Sequence, residues 1–237
     1  MITQYKNRWL LLNQSSHCIL CGLQPADDRQ ICQACLVDLP WIGNTCQRCA
    51  EPMHHASGSF ICPQCQQKPP PYEQAIAPFE YRFPIDQLVQ LAKFNGQTHY
   101  LRPLAELLSL RLQTEPRPEL IIPVPLHRKR LQERQYNQAA IVAKHLARRL
   151  NIPFSNKLLL KTENTQHQAD LNRKARRKNL RNSFQCVSAP PTSVAIVDDV
   201  MTTGTTAAEI SRVLKQAGCQ QVYIWIIART AKELHLS

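Results

Sequence analysis

The stretch Val194-Ala195-Ile196-Val197-Asp198-Asp199-Val200-Met201-Thr202-Thr203-Gly204-Thr205-Thr206 decides how this chain is read. Four apolar residues in a row, Val194–Val197, suit a strand buried on both faces. They run into two adjacent carboxylates and a short loop rich in hydroxyls. Residues Thr205–Ala217 then put Ile210, Val213, Leu214 and Ala217 on one face of a helix, closed by Gly218. A strand that passes through a loop into a helix places that loop at the carboxyl edge of a parallel sheet, where α/β proteins bind ligands.

The chemistry of the loop points to a ribose phosphate. A helix N-terminus offers unpaired N–H groups and the positive end of the helix dipole. Gly204 lets the backbone approach an anion closely, and the hydroxyls of Thr202, Thr203, Thr205 and Thr206 add donors. Asp198 and Asp199 are acceptors that suit a ribose diol, or a Mg²⁺ held with it. A helix cap alone would need one such residue, and two adjacent acids repel each other unless a cation or a diol lies between them.

Outward from this stretch, strands and helices keep alternating. Ala77–Phe83 alternates in the manner of a strand. Ile85–Phe94 carries apolar residues at 85, 88, 89, 91 and 92 and stops at Asn95-Gly96. Leu101–Leu112 sets Leu101, Leu104, Ala105, Leu108 and Leu112 on one helical face. Gln138–Leu150 reads as a helix stopped by Asn151-Ile152-Pro153. Leu120–Val124 and Val222–Ala228 are short apolar runs that read as buried strands. The alternation predicts an α/β fold, a parallel sheet flanked by helices.

The N-terminal part follows another rule. Cys18/Cys21, Cys32/Cys35, Cys46/Cys49 and Cys62/Cys65 are four CxxC pairs within 48 residues, separated by ten, ten and twelve residues. Two thiolates on one CxxC turn face one ion, and a second turn completes a tetrahedral zinc site. Eight thiolates fill two such sites. The spacing leaves open whether pairs join in order or interleave, and hence whether one ion or two are held. His17, His54 and His55 are close enough in sequence to replace a thiolate. Sites closed by four thiolates are structural, because catalytic zinc keeps an open position. Cys186 and Cys219 stand apart and read as small core residues. Lys68-Pro69-Pro70-Pro71-Tyr72 is a stiff break. The expected organisation is a zinc module over 1–68, a Pro-rich linker over 69–76 and an α/β domain over 77–237.

The net charge of +12 is uneven, +1 over residues 1–68 and +11 over 69–237. Two clusters stand out. Arg128, Lys129, Arg130 and Arg134 follow the strand Leu120–Val124. Arg173, Lys174, Arg176, Arg177, Lys178 and Arg181 lie together with no acid between them. Such density binds phosphates with an affinity that falls as salt rises, although a solvated basic face has the same composition. Aromatic residues are only 6% of the chain, which disfavours a long base-stacking groove; Tyr136 and Phe184 lie near the clusters, and Phe184 reads as core. His127 and His167 have no partner pattern. No signal-peptide core or ~20-residue apolar span is present. Together with the cysteine pattern this excludes a disulfide-stapled secreted protein and predicts a cytoplasmic location, with peripheral contact at the inner face of the membrane left open.

The stretch from Val194 resembles the PRPP-binding motif of type I phosphoribosyltransferases: apolar residues, two acids, two variable residues, then Thr-Thr-Gly-x-Thr, met at Asp198, Asp199, Thr202, Thr203, Gly204 and Thr206. In that fold the acids contact the ribose hydroxyls and the loop holds the 5′-phosphate, and residues 127–134 resemble the loop that meets the pyrophosphate. The four CxxC pairs, Lys68-Pro69-Pro70-Pro71, Pro123-Val124-Pro125-Leu126, Arg134-Gln135-Tyr136-Asn137-Gln138 and Arg176-Arg177-Lys178-Asn179 together resemble the ComF family, including its GntX branch. Gln135 departs from the Gly usual there, which bears on a tight turn.

The resemblance implies a type I phosphoribosyltransferase-like sheet behind a zinc module. It also implies a role in handling single-stranded DNA during natural transformation or DNA uptake, beside DNA-uptake proteins of the inner membrane. PRPP or a nucleotide would occupy the Asp198–Thr206 loop. Two other readings stand beside it. One is an active Mg²⁺-dependent phosphoribosyltransferase with Asp198 and Asp199 as its catalytic acids; no acceptor-binding hood is recognisable in the sequence. The other is an adaptor that docks proteins through its zinc knuckles.

Overall fold

The structure, a computed structural model, describes residues 17–26, 29–53, 60–162 and 183–231. Among the described residues seven strands are formed: β1 (Gln74–Ile76), β2 (Phe79–Glu80), β3 (Leu120–Pro123), β4 (Leu159–Lys161), β5 (Phe184–Cys186), β6 (Ser193–Met201) and β7 (Gln221–Arg229). All pairings within the main sheet are parallel, in the order β1-β7-β6-β3, with β2 also on β7. An isolated parallel bridge joins Ile121 to Phe154 beyond β3. β4 and β5 form a separate antiparallel ribbon. The helices among the described residues are α1 (Gln33–Val37), α2 (Pro63–Gln67), α3 (Ile85–Phe94), α4 (Leu101–Arg111), α5 (Arg128–Arg134), α6 (Gln138–Leu150) and α7 (Thr205–Gln216), with one 3₁₀ turn there at Thr98–Tyr100.

The expected parallel α/β sheet with flanking helices is therefore present. The bounds read for α3 and α6 match; α4 and α7 each end one residue earlier than the sequence suggests. Two readings need correction. Ala77–Phe83 is not one strand: β1 and β2 lie on either side of Ala77-Pro78, because proline has no N–H to give to the ladder. Residues 128–134 are a helix rather than an open loop. His127 accepts from the Lys129 N–H at its start, and Gln135 closes it at φ +65°, its N–H donating to the Leu131 carbonyl. The tight turn thus forms without glycine, and Gln135 carries the strain of a left-handed backbone.

Side chains alternate across the sheet. Val194, Ile196, Ile224 and Ile226 belong to a core shared with Ile210 and Leu214 of α7 and with Phe184. Ala195, Val197 and Trp225 are as deeply buried on the opposite face, where α4 and α6 pack. Phe184 is core, as its sequence suggested. Cys219 is buried; Cys186 is half-buried, its thiol on the Ser188 carbonyl.

By packing the chain forms two compact units, Met1–Leu39 and Pro40–Ser237. The first CxxC cluster lies in the smaller unit. The second lies in the larger one, together with the sheet.

Candidate functional site

β6 runs four residues beyond its apolar core, so Asp198 and Asp199 sit inside the strand rather than after it. Gly204 follows at φ +71°, the left-handed conformation that favours glycine, and caps α7; a Cβ there would meet only ordinary contacts, so backbone conformation is the reason for glycine. The Thr203 and Thr205 hydroxyls lie 2.8 Å apart. A concavity open to solvent is lined by Asp198, Val200, the loop from Thr202 to Thr206 and the apolar side chains of Val124, Ile196 and Ile226.

The two acids have different neighbours, because consecutive strand residues face opposite ways. Asp198 lines the concavity on the α7 side. Asp199 is buried on the other side, 3.7 Å from the Lys93 ammonium at the end of α3. The Asp199 N–H donates to Asp198 at 2.9 Å. Burial first, then the charge of Asp199, pushes the Asp198 carboxyl up to about 8, against the pull of that N–H and of Lys93.

Cations from three distant segments converge here. Arg134, at the end of α5, is lowered by burial and by Arg130, and is held up by Asp199. Lys161, at the end of β4, is lowered by burial and by Arg130, and is held up by Asp198. The turn after α5 fixes this arrangement. Tyr136 donates its hydroxyl to the Ala92 carbonyl at 2.7 Å, and Asn137 donates to the Val124 carbonyl at 2.9 Å. The Arg134 guanidinium lies 5.3 Å from the ring centre of Phe94, which is 69% exposed.

The cysteines answer the question of pairing. Cys18, Cys21, Cys32 and Cys35 form one cluster and Cys46, Cys49, Cys62 and Cys65 another, so pairs join in sequence. Within each cluster the sulfurs lie within 4.8 Å of one another. Tetrahedral zinc with Zn–S of about 2.3 Å needs sulfurs about 3.8 Å apart. The separations of 3.9 Å for Cys21–Cys32 and 3.7 Å for Cys49–Cys62 fit it. In each cluster the first CxxC lies on a turn and the second opens a five-residue helix. A hydrogen bond from Cys49, opposed by burial and helped by the Cys62 N–H, lowers the Cys46 thiol to about 4. These are two four-cysteine zinc sites. His17 is outside both; His54 and His55 lie outside the described residues.

Residues 10–66 match the double zinc ribbon domain family. Competence protein F of Haemophilus influenzae is 34% identical over 208 residues, covering 84% of this chain and 88% of that protein. The DNA utilization protein YhgH of Escherichia coli O157:H7 is 31% identical over 207 residues, covering 84% of this chain and 90% of that protein. The chain belongs to the ComF family. Among solved structures, a purine phosphoribosyltransferase from Pyrococcus horikoshii matches with a TM-score of 0.36 and 18% identity over 56% of this chain and 85% of that chain.

Within this ComF chain, of the residues singled out in the sequence, Asp198 and Asp199 are neighbours in β6, and Arg134 interacts with Asp199 and with Arg130. Arg128 and Lys129 are exposed on α5. Arg173, Lys174, Arg176, Arg177, Lys178 and Arg181, and His167, lie outside the described residues. Sequence reasoning missed Lys93, Lys161, Phe94 and a buried arginine, Arg229. Arg229 had a visible signal, a charge closing the apolar run Val222–Ala228. The others had none. No helix among the described residues is long and apolar enough to cross a membrane.

Proposed function

We propose that this ComF-family protein handles single-stranded DNA in DNA uptake or natural transformation. In this reading the Asp198–Thr206 loop takes a ribose phosphate, either Mg²⁺-PRPP or a nucleotide. The observation that carries the reading is the pair of adjacent acids flanked by cations: Lys93 lies 3.7 Å from Asp199, Arg134 also faces Asp199, Lys161 faces Asp198, Arg130 lies near both Arg134 and Lys161, and Asp198 opens onto a hydroxyl-rich loop. Cations there meet phosphate oxygens, the loop amides and threonines meet a 5′-phosphate, and Asp198 accepts from the ribose hydroxyls or from Mg²⁺ and its waters. A base next to that sugar would meet Phe94, with Arg134 over its ring. The names of the relatives, a competence protein and a DNA utilization protein, support the same direction.

The test is fluorescence anisotropy of a labelled single-stranded oligonucleotide titrated with zinc-loaded protein at several salt concentrations, with and without Mg²⁺-PRPP. Binding that weakens with salt, that PRPP competes away, and that loses this competition in Asp198→Asn is the expected result. No binding at low salt overturns the DNA reading. Binding indifferent to PRPP moves DNA off the loop.

A second reading, phosphoribosyl transfer, is favoured by the completeness of the acid and threonine set. An acceptor would displace pyrophosphate at the anomeric carbon, with the chain's cations holding the departing charge and Asp198 orienting the ribose. Absence of pyrophosphate release from PRPP across a broad panel of bases would rule it out.

A further inference from the structure

Arg229 closes β7 and is 2% exposed, and its guanidinium reaches two separate parts of the chain. On one side its guanidinium donates to the carbonyls of Met201, at 2.9 Å, and Thr202, and to its neighbour Thr230 at 2.9 Å. On the other it donates to the Cys49 carbonyl at 3.1 Å and to the Glu51 carboxylate at 2.5 Å. One buried cation therefore joins the Thr202–Thr206 loop to the knuckle of the second zinc site. Tyr72, also buried, packs in the same gap, its hydroxyl 3.5 Å from where a Cβ on Gly204 would stand.

The geometry has a consequence for the loop. In a trans peptide the C=O and the following N–H point in opposite directions. With the Met201 and Thr202 carbonyls turned to Arg229, the N–H groups of Thr202 and Thr203 face away from it. Arg229 thus sets the direction of two loop donors without being able to touch what they bind. It is a positioning residue. A buried arginine needs its counter-charge and acceptors in place, and two of these, Glu51 and the Cys49 carbonyl, stay in place only while the Cys46–Cys49 turn keeps its shape. Metal holds that turn.

We propose that the Cys46, Cys49, Cys62 and Cys65 zinc site braces the phosphate loop through Arg229 and Glu51, so that this zinc ion and the ligand of the loop bind cooperatively. The ligand half rests on the loop being a phosphate site, as proposed above; the brace itself does not. By linkage the effect is reciprocal: whatever orders the loop slows loss of this ion, and loss of the ion weakens the loop's hold.

Zinc release from the full chain tests it. A chelating chromophore follows the two ions leaving, and Cys18→Ser and Cys46→Ser chains identify which phase belongs to which site. Glu51→Gln and Arg229→Lys should speed release from the second site by on the order of tenfold, the scale of losing hydrogen bonds to a buried charge, and leave the first site unchanged. Saturating Mg²⁺-PRPP should slow the same phase alone in wild type and not in Arg229→Lys. Release unchanged in both variants overturns the brace. Should Arg229→Lys lose its circular dichroism and both ions together, Glu51→Gln decides, since it leaves Arg229 on the loop carbonyls. Binding of PRPP is measured separately by calorimetry: PRPP that binds without slowing release overturns the cooperativity, whereas PRPP that does not bind refutes the phosphate-loop reading, and the variants alone then judge the brace.

Discussion

Asp198→Asn should stabilise the larger unit more and more as pH rises from 5.5 to 7.5. The Asp198 carboxyl is raised from 3.8 to about 8, first by burial and then by Asp199. Between those values the folded chain holds a proton that the unfolded chain has released. Unfolding free energy therefore falls with pH, by up to about 1.4 kcal/mol per unit for one proton. Asparagine carries no such proton and removes this slope. Over two pH units the variant should gain on wild type by an amount on the order of 1–3 kcal/mol. Urea unfolding of zinc-saturated protein, followed by tryptophan fluorescence, reads the difference, since Trp225 is buried in β7 beside Val197. A difference that stays flat would mean that Asp198 is ionised throughout and that Lys93 and the loop already neutralise it. The same proton must leave before Asp198 can accept from Mg²⁺ or a ribose diol, so PRPP affinity should rise with pH from 6.5 to 8.5 in wild type.

Gln135→Gly should raise stability by about 0.5–1 kcal/mol in thermal unfolding, because it removes the left-handed strain at φ +65°; a loss would show that the glutamine side chain does more than close α5. Arg130→Ala and Arg134→Ala should each lower the slope of log affinity for single-stranded DNA against log salt by about 0.7, and an unchanged slope would take that residue off the DNA path. Phe94→Ala should weaken oligonucleotide binding by about 1–3 kcal/mol without changing its salt slope, the mark of a stacking contact. Stripping zinc should lower the melting of the sheet-containing unit as well as that of the N-terminal unit, because Cys46, Cys49, Cys62 and Cys65 lie inside the larger one.

What was legible in the sequence was whatever repeats at short range. The helical stripe of Ile85–Phe94 and that of Gln138–Leu150 gave their bounds directly, since a 3.6-residue period and a terminal Asn carry both the type and the stop. The CxxC spacing gave the ligands but not their partners; which pair completes which site is set in three dimensions, and spacing does not encode that. The ribbon of Leu159–Lys161 with Phe184–Cys186 is invisible in the sequence, because three-residue strands are shorter than the run of about four residues over which alternation can be recognised. The charges that complete the site were hidden for a different reason. Lys93, Lys161 and Arg229 come from a helix, a separate ribbon and a sheet strand with no sequence relation to Asp198, and only the tertiary fold brings them near the two acids and their loop.

The adjacent acids show how far a motif can carry an argument. Read as a sequence, Asp198-Asp199 is one feature, two acceptors for one sugar. In a strand, adjacency means separation, because neighbouring side chains face opposite ways. Asp198 opens onto the Thr202–Thr206 concavity, and Asp199 is buried with Lys93 on the far face. In the proposed reading the pair therefore has two roles joined by one peptide. Asp199 fixes α3 against the sheet and raises Asp198 by its charge, while its own N–H partly compensates by bonding to Asp198. An uncharged Asp199 would lower the proton affinity of Asp198 and leave Lys93 without its partner. Asp199→Asn should thus move the pH dependence of ligand binding down, whereas Asp198→Asn should abolish it. That difference in readout separates an acid that touches the ligand from one that sets its neighbour's charge.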